Sequence, residues 1–185
     1  MYLFRQTDRV SAAWLDQALA SLPRERREKA MRYRLESDRK NCAISYLLLR
    51  YALKECFGIT EFRIGFERYG KPFLEQFPDI YFNISHCCRG CAVAVSDEPV
   101  GVDIQEIRPF SWKVAERVCC AQELCILEKS NCRERDFIRM WAIKESYVKR
   151  IGIGIGYPFW KVDTTSVKGV MSAEFLDFMV AVSVG

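Results

Sequence analysis

Val100-Gly101-Val102-Asp103-Ile104-Gln105, read with Cys91-Ala92-Val93-Ala94-Val95-Ser96 and the turn Asp97-Glu98-Pro99 before it, decides the fold class. Both runs have the composition of strands, and the turn between them is short, so the sequence predicts an antiparallel pair. Val100, Val102 and Ile104 repeat with period two and belong on a core face. Gly101, Asp103 and Gln105 take the opposite face. An ionised Asp103 inside an otherwise apolar strand needs a partner. A divalent metal and a basic side chain both answer that need.

Helices flank these strands. Trp14, Leu15, Ala18, Leu19 and Leu22 recur at helical spacing, with Ser11 as N-cap. A run dense in Arg and Lys follows from Arg24 to Arg34. Ser37 and Asp38 read as caps of a longer helix whose apolar face is Ile44, Leu47, Leu48, Tyr51, Ala52 and Phe57, ended by Gly58. Further strands are expected at Phe62–Glu67, Ile80–Ile84, Val162–Thr165 and Phe175–Val184, and the helices at Trp112–Lys129 and Asp136–Lys149. Gly152, Gly154 and Gly156 end the last helix in a pliable loop. Val-Ala-Val-Ser occurs at Val93–Ser96 and again at Val180–Ser183. That repeat, with helix before strands in each half, predicts one α+β domain of two similar halves, 1–98 and 99–185.

Composition narrows the function. Of the 185 residues, 50% are hydrophobic and 28% charged, which is neither a disordered nor a membrane composition. The net charge of +4 suits an anionic ligand or an acidic partner but is low for a nucleic-acid stripe. No apolar run reaches the roughly 18 residues of a membrane span. The first ten residues carry Arg5, Asp8 and Arg9, unlike a secretory leader. Nine cysteines, an odd number, fit free thiols in a reducing cytoplasm better than a disulfide framework. Cys88 and Cys91 have CxxC spacing, but no second pair completes a structural zinc site.

Four segments could carry chemistry. Trp141, Glu145 and Lys149 lie on one i,i+4 stripe of a helix, with Lys144 beside it. Phe82-Asn83-Ile84-Ser85-His86 places polar donors, Asn83, Ser85 and His86, at a strand end. Gly70-Lys71-Pro72 presents a lysine from a rigid loop, and Asp103 has been described above. Taken singly, each also has an ordinary structural reading: a surface ion pair, a capping histidine, a solvated lysine.

In order and spacing, these four segments resemble the signature motifs of 4′-phosphopantetheinyl transferases, and most closely the single-chain, surfactin-synthetase-activating type. The resemblance covers about residues 24–165. It implies a Mg²⁺-dependent transfer of phosphopantetheine from coenzyme A to a serine of an apo acyl or peptidyl carrier protein, by a monomer. It implies that Asp103 and Glu145 bind the metal with the cofactor's diphosphate. The serine must lose a proton as it attacks, and Glu145, directly or through a metal-bound water, is the candidate base. Lys149 would assist the departing adenosine 3′,5′-bisphosphate. Lys71, Ser85, His86 and Lys144 would lie along coenzyme A, and Arg32, Arg39 and Lys40 near its 3′-phosphoadenosine. Two positions depart from the pattern: Gln105 stands where many relatives carry a third acidic ligand, and Asn41 where an arginine is expected. Those departures leave room for a relative that binds coenzyme A without transferring. The Arg24–Arg34 run would alone suggest a nucleic-acid-binding module, which leaves the four motifs unexplained.

Overall fold

The computed structural model describes residues 1–154 and 156–185. Strand β1 (Tyr2–Arg5) leads through a turn of 3-10 helix to α1 (Ala12–Ser21), α2 (Arg24–Met31) and α3 (Glu36–Phe57). A small hairpin, β2 (Ile64–Phe66) and β3 (Pro72–Leu74), precedes β4 (Tyr81–His86) and β5 (Gly90–Ser96). The order strand, helices, two strands then runs again. It is made by β6 (Val100–Glu106), α4 (Trp112–Val118), α5 (Ala121–Lys129), α6 (Arg133–Ile151), β7 (Val170–Phe175) and β8 (Phe178–Val184). The two main sheets are three-stranded and antiparallel, β1-β5-β4 and β6-β8-β7. The architecture is α+β, and each copy of Val-Ala-Val-Ser lies on the central strand of its sheet.

Local chemistry explains the helix ends. Ser11 caps α1 by accepting a hydrogen bond from the Trp14 amide at 3.2 Å. Gly58 and Gly152 stop α3 and α6 in the left-handed region, at φ 68° and 73°, where a side chain would be strained. Helix α3 begins at Glu36 behind Leu35, slightly earlier than Ser37 and Asp38 suggest.

Of four buried clusters among the described residues, one joins α1, α2 and α3, and the other three involve the sheets. Leu49 and Leu53 of α3 pack on Phe82 and Val93 of the first sheet. Phe137, Met140 and Ile143 of α6 pack on Met179 and Ala181 of the second. Val100, Val102 and Ile104 join Ala92, Ala94 and Val180 between the sheets, the core face their period predicted. Val100, Val102 and Ile104 are each at most 1% exposed, so truncating any one of them leaves a cavity costing about 1–5 kcal/mol according to its size.

Three expectations are corrected. The strands on either side of Asp97-Glu98-Pro99 do not pair. β5 already has β1 on one edge and β4 on the other, so β6 crosses into the second sheet. Residues 162–165 form no strand, because the hydroxyl and amide of Thr164 go to Glu123 and the Val162 carbonyl to Lys144. Phe175–Val184 is not one strand: Leu176, at φ 59°, turns the chain between β7 and β8.

Candidate active site

Helix α6 crosses β6 almost backbone to backbone. A Cβ on Gly101 would lie 1.9 Å from the Ser146 carbonyl oxygen, so only glycine permits this approach. Asp103 follows two residues along the same face, which brings it beneath the last turns of α6. It is 1% exposed. Its Oδ1 accepts from Lys149 Nζ at 2.6 Å and from the Ser85 hydroxyl at 2.8 Å, and its Oδ2 from the Gln105 amide at 2.9 Å. The partner Asp103 needs is therefore present as a basic side chain, with room for more.

Glu145 stands one helical turn before Lys149 and lines the same two cavities. Burial pushes its carboxyl above the ordinary glutamate range, the Asp103 carboxylate adds to the rise, and Lys149 opposes it. Two acids from different elements, β6 and α6, thus face one cleft at a mutual electrostatic cost. A divalent cation would relieve that repulsion, and the donor set is the oxygen-rich kind Mg²⁺ takes. Asp103 and Glu145 fit such an ion. Gln105 shows its amide N–H to Asp103 and would have to turn its oxygen inward to join them.

The cleft has three connected lobes. A 290 Å³ cavity is lined by Tyr69, Lys71, Asn83, Glu145 and Lys149. A larger one of 510 Å³ holds His86, Asp103, Gln105, Arg108, Trp141 and Glu145. The third, 210 Å³, shares His86 and carries Arg26, Lys29, Tyr33 and Phe66. Burial, with Lys149 and Lys29 nearby, lowers the His86 pKa, and burial does the same for Lys71, whose ammonium donates to the Arg150 carbonyl. Lys29 is lowered by burial and by Arg26. A lobe with such basic groups favours a polyanion.

Several expected site residues are placed otherwise. Lys144 is 1% exposed and faces away from the cleft. Its ammonium is spent on Glu123 at 2.7 Å, the Phe159 carbonyl at 3.0 Å and the Val162 carbonyl, leaving no donor for a phosphate. Ser85 uses its hydroxyl proton on Asp103, so it orients that residue rather than offering a donor to ligand. Arg39 donates to the Tyr33 carbonyl at 2.9 Å and Lys40 pairs with Glu36 at 2.8 Å. Neither they nor Arg32 line the cleft lobes described. Arg26 and Lys29 take that position instead. They belong to the same basic run, whose composition does not distinguish the face of α2 that lines the lobe. Asn41 is a buried strut, donating to the Cys87 carbonyl at 3.0 Å.

Cys120, Glu123 and Asp163 also bring ligand atoms together. Glu123 there is already satisfied by Lys144, by the amide of Cys120 and by both donors of Thr164. Burial works to raise its pKa, and these donors outweigh it and hold the carboxyl below its ordinary range. Glu123 is thus a buried structural anchor whose charge is already met by Lys144. All nine cysteines are free thiols. Among the described residues no helix is long and apolar enough to cross a membrane.

Residues 9–98 match the family described as 4′-phosphopantetheinyl transferase, N-terminal, and residues 99–178 match the 4′-phosphopantetheinyl transferase superfamily. A 4′-phosphopantetheinyl transferase of Bacillus subtilis is 32% identical over 176 residues, covering 91% of this chain and 77% of the relative. The enzyme named Sfp from Bacillus subtilis strain 168 is 31% identical over 161 residues, 83% of this chain and 70% of that one. An L-aminoadipate-semialdehyde dehydrogenase-phosphopantetheinyl transferase of Xenopus laevis is 30% identical over 82% of this chain and 56% of its own length. With its paired acids on β6 and α6, this chain belongs to the 4′-phosphopantetheinyl transferase superfamily and is an enzyme of that class. Its likeness to Sfp sets it within the two-halved, single-chain type.

Proposed function

We propose that this protein transfers the 4′-phosphopantetheine arm of coenzyme A to a serine of an apo acyl or peptidyl carrier protein, with Mg²⁺, and releases adenosine 3′,5′-bisphosphate. The observation that carries the reading is the convergence of Asp103, Glu145 and Lys149, drawn from two distant segments, on one cleft with a basic lobe beside it. Phosphoryl transfer asks an enzyme chiefly for positioning and charge neutralisation. Asp103 and Glu145 would hold the Mg²⁺, which neutralises charge on the diphosphate when bound. Arg26, Lys29 and His86 would receive the 3′-phosphate, and Lys71 would lie along the arm.

In the transfer, the carrier serine oxygen forms a bond to the phosphorus bearing pantetheine, and the bond from that phosphorus to the bridging oxygen breaks. The bridging oxygen leaves with its electron pair on adenosine 3′,5′-bisphosphate. Glu145, its carboxyl raised by burial and by Asp103, is suited to take the serine proton. Lys149 spends donors on Asp103 and Ser85 and keeps a third N–H for the departing phosphate. The positive net charge suits an acidic carrier surface. Nine free thiols suit a reducing cytoplasm, and halves divided at 98/99 within one chain suit a monomer.

Incubation with coenzyme A, Mg²⁺ and a panel of apo carriers, read by intact mass, tests the proposal. The expected result is a gain of one phosphopantetheine arm, blocked by EDTA. No gain on any carrier, or a gain indifferent to EDTA, contradicts it.

A further inference from the structure

β4 and β6 are edge strands of separate sheets, yet they run side by side with no backbone ladder between them. Every second amide of an antiparallel strand faces away from its partner. On β6 the outward amides of Val102 and Ile104 are met by side chains. Val102 donates to Asn83 Oδ1 at 3.0 Å, and Ile104 to the Ser85 hydroxyl at 3.3 Å. Both rungs span 19 residues, so the two strands run parallel and in register. Asn83 and Ser85 are each 5% exposed, too buried for water to replace them.

The second rung does more than join strands. Ser85 Oγ accepts from Ile104 and from Lys149 Nζ at 2.9 Å while donating to Asp103 Oδ1 at 2.8 Å. One hydroxyl therefore ties β4, β6 and α6 at the point where the two acids meet. We infer that Asn83 and Ser85 are positioning residues: a two-rung side-chain ladder fixes β6 against β4 and so sets Asp103 in the metal-binding geometry. The inference rests on the transferase reading for the role of Asp103, and on geometry alone for the ladder. A purely structural polar pair would leave the carboxylate's ligand properties untouched, whereas outer hydrogen bonds that orient a carboxylate tune its affinity for metal.

Two readouts separate the parts. Amide exchange followed by NMR reports each rung. Ser85→Ala should speed exchange at Ile104 by at least about tenfold while sparing Val102, and Asn83→Ala should do the reverse. Mn²⁺ binding followed by electron paramagnetic resonance reports the carboxylate. Ser85→Ala should weaken it about tenfold, and Ser85→Thr, which keeps the hydroxyl, should restore it. Equal acceleration of both amides in either variant, or unchanged exchange in both, overturns the ladder. Selective exchange with unaltered Mn²⁺ affinity overturns the positioning of Asp103. Should the wild type bind no Mn²⁺ at all, the transferase reading fails while amide exchange still decides the ladder.

Discussion

Lys149 Nζ lies 2.6 Å from Asp103 Oδ1, across 46 residues of chain, and this contact closes the end of α6 onto β6. Asp103 is almost fully buried while Lys149 keeps 27% of its side chain exposed. The pair thus has one inaccessible charge and one that can reach a ligand. Removing the lysine leaves the other charge stranded.

Lys149→Met should destabilise the fold by about 3 kcal/mol, since a buried carboxylate then lacks its counter-charge. Mg²⁺ should recover part of the loss, because a cation in the cleft replaces the ammonium. Thermal melts with and without Mg²⁺ check this; a Mg²⁺ response no larger than that of the wild type contradicts it.

Glu145 gives a pH dependence with a definite sign. Its folded-state pKa is raised, so the group favours folding most below the ordinary glutamate value. That favour is lost as pH rises through the raised value. In metal-free buffer Glu145→Gln should therefore be the more stable protein at neutral pH, and the advantage should vanish in acid. Its turnover should fall by roughly 100-fold or more with the loss of base and ligand. Denaturant titrations across pH, beside a transfer assay, measure both.

Arg26 and Lys29 should recognise the 3′-phosphate of coenzyme A. Arg26→Ala or Lys29→Ala should raise KM for coenzyme A roughly tenfold, the scale of one hydrogen bond between charged groups. KM for dephospho-coenzyme A, which lacks that phosphate, should hardly move. Arg32→Ala should alter neither value.

Lys144 predicts the opposite phenotype from its neighbour Lys149. Lys144→Met strands Glu123, which is 0% exposed, and should cost about 3–5 kcal/mol. The protein that remains folded should keep its KM for coenzyme A. Adding Glu123→Gln should recover much of the stability, which a denaturant titration of the double variant will read.

Much of this site was legible in the chain because its signals are local. The stripe Trp141–Glu145–Lys149 follows from helical period alone, and all three line one cavity. Gly58 and Gly152 announce helix ends for a conformational reason that needs no tertiary context. What failed was non-local. The pairing of β5 depends on β1, some ninety residues earlier, which the turn at Asp97–Pro99 cannot reveal. Lys144 and Lys149 read alike in sequence, yet α5 and the segment after α6 capture one and the cleft the other. In the same way, the basic run from Arg24 to Arg34 is uniform in composition. Only the packing of α2 on α3 decides that Arg26 and Lys29 line the cleft.

The most direct measurement is a crystal structure with coenzyme A and Mg²⁺ bound. One cation should touch a carboxylate oxygen of Asp103, one of Glu145 and the cofactor's diphosphate, with Lys149 reaching the same phosphates. A cation bound without either acid, or a diphosphate lodged outside the cleft between β6 and α6, would contradict that arrangement.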